Sequence, residues 1–161
     1  MAGNDTLRSI MTEKLIAVRA DDTVSAAVRK MVRGEIGAVL VKRGTSVVGI
    51  VTERDILRAA AKGGELLGKR VAAIMPRRKL ITAKPDDSPV HALDLMNRHQ
   101  VRRIPIAVKG RVVGIVTQRD LVTWLLRRPD VILDMLSPDY PAVSRDALVA
   151  LLKELQVRER V

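Results

Sequence analysis

The sequence predicts an α/β fold: two copies of one β-α-β-β-α unit, followed by a helical tail. Three observations predict it. The stretch Val112-Val113-Gly114-Ile115-Val116-Thr117-Gln118-Arg119-Asp120 repeats Val47-Val48-Gly49-Ile50-Val51-Thr52-Glu53-Arg54-Asp55 with a single change, 65 residues further on. An internal period of that size sets the architecture before any local reading. Each copy of the stretch follows a short apolar run, a helical pattern and a second apolar run. Finally, 47% of the 161 residues are hydrophobic, enough for a core built from Val, Ile, Leu, Met and Ala, since the chain has no Phe, one Trp and one Tyr.

In the first copy, residues 10–62, Leu15 to Val18 reads as a strand. Asp21-Asp22 ends it and Thr23 is a good N-cap. Val24, Ala27, Val28, Met31 and Val32 then fall at i, i+3, i+4, i+7 and i+8, one face of a helix that Gly34 closes. Ile36 to Val41 is a strand apolar on both faces, and Lys42 to Ser46 a turn into the strand Val47 to Val51, which predicts a hairpin. Thr52 caps a second helix through Ile56, Leu57 and Ala60, broken at Gly63-Gly64.

Residues 63–73 form a connector, and residues 74–126 the second copy. There Ile74-Met75 answers Ile10-Met11, Leu80-Ile81 answers Leu15-Ile16, and Ser88 answers Thr23, with Pro89 at the first helical position, where its missing N–H costs nothing. Val101 to Val108 is the double-faced strand, Lys109-Gly110-Arg111 the turn, and Thr117 the last cap. Each unit alone would leave an apolar sheet face open, so the two are expected to pack about a pseudo-twofold axis, neither being stable by itself. Residues 1–9 read as a polar lead-in. The tail, residues 127–161, predicts a short helix over Pro129 to Leu136, a loop over Ser137 to Pro141, and a helix capped by Ser144. Its stripe Leu148, Leu151, Leu152 and Leu155 suits either the chain's own core or a self-association face.

Composition excludes several classes of function. With no Cys there is no disulfide frame, thiolate metal site or Cys nucleophile, and a cytoplasmic home is expected. No apolar run is long enough to span a membrane, and no signal peptide is expected. The net charge of +11 suits anionic partners. His91 and His99 have no third ligand nearby in sequence, no Ser-His-Asp order stands out, and neither a Walker loop nor Gly-x-Gly-x-x-Gly is present. No catalytic residue and no catalytic cofactor is predicted.

Thr52-x-x-Asp55 and Thr117-x-x-Asp120 fit a capping box. They also fit a ligand site. A strand-to-helix junction offers backbone N–H groups and the positive end of a helix dipole, which suit phosphate. The Thr hydroxyl can donate to a phosphate oxygen, and the Asp carboxylate can accept from ribose hydroxyls. Gly49 and Gly114 either admit a close backbone approach or mark a strand irregularity.

Two in-register copies, each opening Ile-Met and ending Gly, two apolar residues and Thr-x-x-Asp, resemble the cystathionine-β-synthase (CBS) domain pair, or Bateman module, over about residues 10–126. The resemblance implies a regulatory sensor that binds an adenine nucleotide (AMP, ADP or ATP) or a related adenosyl ligand in two clefts between the copies. Carried over residue by residue, one cleft joins Ile50, Thr52 and Asp55 to Ile81, Thr82, Val101, Arg102 and Arg103. The other joins Ile115, Thr117 and Asp120 to Thr12, Ile16, Ala17, Gly37 and Ala38. Gly37-Ala38 stands where the second copy has Arg102-Arg103, so the clefts are expected to differ in charge. Arg54 and Arg119 face either solvent or phosphate. A homodimer is expected, with an effector protein as a further partner. The competing reading is a nucleic-acid-binding or protein-tethering module using its positive charge, against which stands the near absence of aromatic residues for base stacking.

Overall fold

A computed structural model describes residues 5–137, 139 and 145–151. The chain divides into two compact units. One is continuous, Lys14–Leu80; the other, the flanking unit, combines the stretch up to Glu13 with the chain from Ile81 onward. The units are thus offset from the sequence repeats. Ile10-Met11, which heads the first repeat, belongs with the hairpin of the second, and Ile74-Met75 belongs with the hairpin of the first.

The Lys14–Leu80 unit runs β1 (Ala17–Arg19), α1 (Val24–Arg33), β2 (Ala38–Arg43), β3 (Ser46–Thr52), α2 (Glu53–Ala60) and α3 (Val71–Ile74). β1 lies parallel to β2 and β2 antiparallel to β3. Val18, Val39, Val41 and Val51 are buried with Ala27, Met31 and Val71 in one core. Each fully buried Val contributes about 1.5–3 kcal/mol. Thr23 caps α1 as expected, its Oγ1 accepting the Ala26 amide hydrogen at 3.2 Å. Val24, Ala27 and Met31 face inward, but Val32 is 72% exposed. It lies at the edge of the apolar stripe, about 100° round from Met31, in the final turn. α2 buries no residue completely; Ile56 packs against the core by one edge, which leaves Leu57 68% exposed.

The flanking unit contains a 3₁₀ turn (Leu7–Ser9), α4 (Pro89–His99), β4 (Arg103–Val108), β5 (Arg111–Thr117), α5 (Gln118–Leu126) and α6 (Pro129–Leu136). β4 and β5 form an antiparallel hairpin. Lys109 and Gly110 turn it with φ of 48° and 78°, the positive values that a two-residue hairpin loop needs.

The counterpart of β1 is missing here, and two prolines account for it. In the first repeat Leu40 N donates to Ile16 O at 3.0 Å and Ala20 N to Lys42 O at 2.8 Å, closing the ladder at both ends. Sixty-five residues on, Pro105 stands for Leu40 and Pro85 for Ala20. Neither has an N–H to give. Only the middle of the ladder survives, a parallel bridge between Ala83 and Ile106.

The beginning and the tail of the chain both join this unit. Leu7 is fully buried, its amide donating to Asp87 O at 2.9 Å. Trp124 Nε1 donates to Asp5 Oδ2 at 2.9 Å, and the Arg128 guanidinium pairs with both Asp5 and Asp130. The hydrogen bond from Arg128 holds the Asp130 carboxyl below its ordinary value. Residues 145–151 are helical, and Ala147, Leu148 and Leu151 are buried in the same core as Leu121, Leu125 and Met135. Those positions of the tail stripe therefore serve the chain's own core. Ser144, Leu152 and Leu155 lie outside the described residues, as do residues 1–4 of the lead-in and much of the loop after Ser137.

Candidate functional site

Both Thr-x-x-Asp stretches fold as full capping boxes, because a β-strand delivers Thr in extended backbone and the next residues turn at once into helix. Thr52 N donates to Asp55 Oδ2 at 2.9 Å, Thr52 Oγ1 donates to the same oxygen at 2.6 Å, and Asp55 N donates to Thr52 Oγ1 at 3.3 Å. The second copy repeats this at 2.7, 2.7 and 3.3 Å. The hydroxyl of each Thr thus donates to its own Asp within the box. Each Asp engages Oδ2 in the box, and Oδ1 takes no part in it. The Asp55 side chain is only 11% exposed, with Arg58 Nη1 4.0 Å from Oδ1.

The amides at the helix starts are mostly occupied too. Glu53 N donates to Gly37 O at 3.2 Å, and Gln118 N to Arg102 O at 2.9 Å. The backbone N–H groups of Arg54 and Arg119 are the ones that neither the box nor these carbonyls take. Both arginine side chains are exposed.

Gly49 and Gly114 admit a close approach, but by a methionine of the same unit. A Cβ on Gly114 would lie 2.6 Å from Met11 Sδ and 3.1 Å from its Cγ; a Cβ on Gly49 would collide with Met75 Sδ in the same way. A register shift sits beside each glycine, as the strand-irregularity reading expected. The residue after Met11 continues the pairing: Thr12 bridges Ile115 through N–O distances of 2.9 and 3.0 Å. Pro76 occupies the equivalent place after Met75 and has no N–H for such a bridge.

The other expected site residues are divided between the units. Thr12, Ile115, Thr117, Arg119 and Asp120 share the flanking unit with Ile81, Thr82, Val101, Arg102 and Arg103. Arg103 lies opposite Thr117 in the ladder, and Arg102 is exposed. Ile16, Ala17, Gly37, Ala38, Ile50, Thr52, Arg54 and Asp55 share the Lys14–Leu80 unit, with Ala38 opposite Thr52, and Ala17 and Ile50 both paired with Leu40. His91 and His99 are exposed on α4, and no cluster of three metal-ligating side chains occurs among the described residues. No helix among them is long and apolar enough to cross a membrane.

One feature escaped the sequence reading. Beside Asp55 lies a cavity of about 400 Å³ within the Lys14–Leu80 unit, walled by α2, the connector and α3, and lined among others by Arg58, Lys62, Lys69, Ile74 and Met75. The available signal was the spacing of Arg58 and Lys62, three and seven residues after Asp55, along one face of α2 and the turn that follows it.

Among known proteins, the family model for the CBS domain matches residues 7–62 and 71–127. Inosine-5′-monophosphate dehydrogenase of Nitrosopumilus maritimus (strain SCM1) is 29% identical over 140 residues, which are 86% of this chain but 25% of the dehydrogenase. The chain thus spans about a quarter of that relative's length. CBS domain-containing protein YhcV of Bacillus subtilis (strain 168) is 32% identical over 117 residues, 72% of this chain and 82% of YhcV. The solved structure of the CBS domain pair of protein MJ0100, in complex with 5′-methylthioadenosine and S-adenosyl-L-methionine, matches with a TM-score of 0.68 at 25% identity, covering 75% of this chain and 99% of that one.

Proposed function

This chain belongs to the CBS domain family, as a pair of repeats forming a regulatory module, and from that premise we propose that it senses an adenine nucleotide without catalysing a reaction. The ligand binds at the Thr52–Asp55 and Thr117–Asp120 junctions. The observation that carries this reading is the duplicated box itself. In each, the fold uses one carboxylate oxygen and orients the other, which suits an acceptor for the two hydroxyls of a ribose. At the second junction the Arg119 amide at the positive helix end remains for phosphate. The ligands bound by the MJ0100 pair share the adenosine part of such a nucleotide but not its phosphates.

A cytoplasmic homodimer acting on an effector protein completes the proposal. Exposed Leu57 and Leu126 offer apolar surface for self-association. Titration calorimetry with AMP, ADP, ATP and S-adenosylmethionine tests the reading. Asp120→Ala and Asp55→Ala should each weaken their own site by about 1.5–3 kcal/mol, about 10- to 150-fold. Absence of heat and of any thermal shift with millimolar ligand would end it.

A further inference from the structure

The cavity beside Asp55 carries more positive charge than a helix end requires. Arg58 and Lys62 follow Asp55 along one face of α2 and its C-terminal turn, about 4.5 and about 10 Å further along the axis. Lys69 reaches the cavity from the connector. That segment is held in place where Val24 N donates to Lys69 O at 2.8 Å and Ser25 N to Leu67 O at 3.0 Å. Ile74 and Met75 line the cavity as well, the second seated on Gly49. Three cations thus line a space with one carboxylate. The single ion pair there, Arg58 with Asp55, is long at 4.0 Å, and Lys62 and Lys69 make none among the described residues.

A helix dipole favours cations near its C-terminal end, which covers Arg58 and Lys62. It gives no reason for Lys69, which with Arg58 and Lys62 is exposed along a half-open groove of about 400 Å³, within the size range of small-molecule sites. The second repeat does not reproduce the arrangement. Thr123, Arg127 and Asp134 stand where Arg58, Lys62 and Lys69 stand, and Trp124 replaces Ala59.

We infer that the cavity beside Asp55 is a polyphosphate subsite, which takes the outer phosphates of a nucleoside di- or triphosphate and makes the first repeat the one selective for phosphate number. The inference rests on the proposed reading, in which Asp55 holds the sugar. Arg58 then meets the first phosphate, and Lys62 with Lys69 the outer ones.

The test is calorimetry in an Asp120→Ala background, which weakens the other junction, with AMP, ATP, inorganic tripolyphosphate and oligoglutamate as probes. ATP should bind more tightly than AMP. The double variant Lys62→Ala/Lys69→Ala should lower ATP affinity about tenfold and AMP affinity less than about threefold. Ala59→Trp, which copies the second repeat, should do the same. Equal ATP affinity in the parent and the double variant, with AMP still bound, would overturn the subsite and leave the sensor reading intact. Tripolyphosphate binding that the double variant abolishes, with no AMP binding, would uphold the subsite and remove the sugar-holding role of Asp55. Capture of oligoglutamate without tripolyphosphate, or no binding by any probe, would also overturn the subsite.

Discussion

Gly114→Ala should destabilise the flanking unit by about 1–3 kcal/mol, the usual cost of forcing a methyl into a packed site. The backbone at Gly114 is not left-handed, so alanine is free to adopt its conformation. On conformational entropy alone the change would stabilise by about 0.4–1 kcal/mol. The steric term decides the sign. The new Cβ would lie 2.6 Å from Met11 Sδ, 3.1 Å from Cγ and 3.3 Å from Cβ. Because the root of the methionine is also close, a rotation of its tip does not relieve the clash. Trp124, the chain's single tryptophan, belongs to the same unit, so its fluorescence during urea unfolding reports on the right transition. For a chain of this size, 1 kcal/mol shifts the melting temperature by about 2–4 °C. In a Met11→Ala background the same glycine substitution should become neutral or stabilising, giving a coupling energy of about 1–3 kcal/mol. A Gly114→Ala protein as stable as the parent, or a loss that Met11→Ala fails to relieve, would refute the argument.

Three further outcomes are expected. Leu148→Ala should cost about 2–5 kcal/mol, because Leu148 is 1% exposed in the flanking unit's core; an unchanged denaturation midpoint would move that part of the tail out of the core. Thr117→Val should lose about 1–2 kcal/mol from the α5 cap, with Thr117→Ser restoring most of it, both read by circular dichroism on heating. Arg128 depresses the Asp130 pKa below its ordinary 3.8, so the folded state releases this proton more readily than the unfolded chain. The resulting stabilisation is complete above about pH 4 and fades as pH falls through the lower folded value. The stability gap between the parent and Asp130→Asn should accordingly narrow on acidification below about pH 4, and a gap that is constant or widens there would contradict the sign.

The repeat, the hairpins and the side-chain caps Thr23, Thr52, Ser88 and Thr117 were legible because each is a local signal: alternation, a turn residue, a Thr or Ser before a helical stripe. What was not legible depended on partners distant in sequence. Ile10-Met11 and Ile74-Met75 read as openings of their own repeats, yet each closes over a glycine in the other repeat's hairpin. Nothing local tells a methionine which backbone it will lie on. Pro85 and Pro105 were visible, but their effect on the first strand of the second repeat required knowing which amides that ladder uses. The acidic ends of the candidate sites were read from Thr-x-x-Asp. The cations beside Asp55 were not, since Lys69 joins Arg58 and Lys62 only when the connector folds back against the start of α1.

The discontinuity of the flanking unit bears on how the polypeptide is made. A ribosome adds roughly 5–20 residues per second, so roughly two to seven seconds separate the appearance of Leu80 from that of Thr117. By the first moment, β1, β2, β3 and the methionine that covers Gly49 have all been synthesised. Leu7, Met11 and Thr12, though translated much earlier, must wait for Asp87, Gly114 and Ile115. The nascent chain therefore carries an uncommitted strap ahead of a segment already able to organise, and completing the flanking unit means returning to a piece made before that segment.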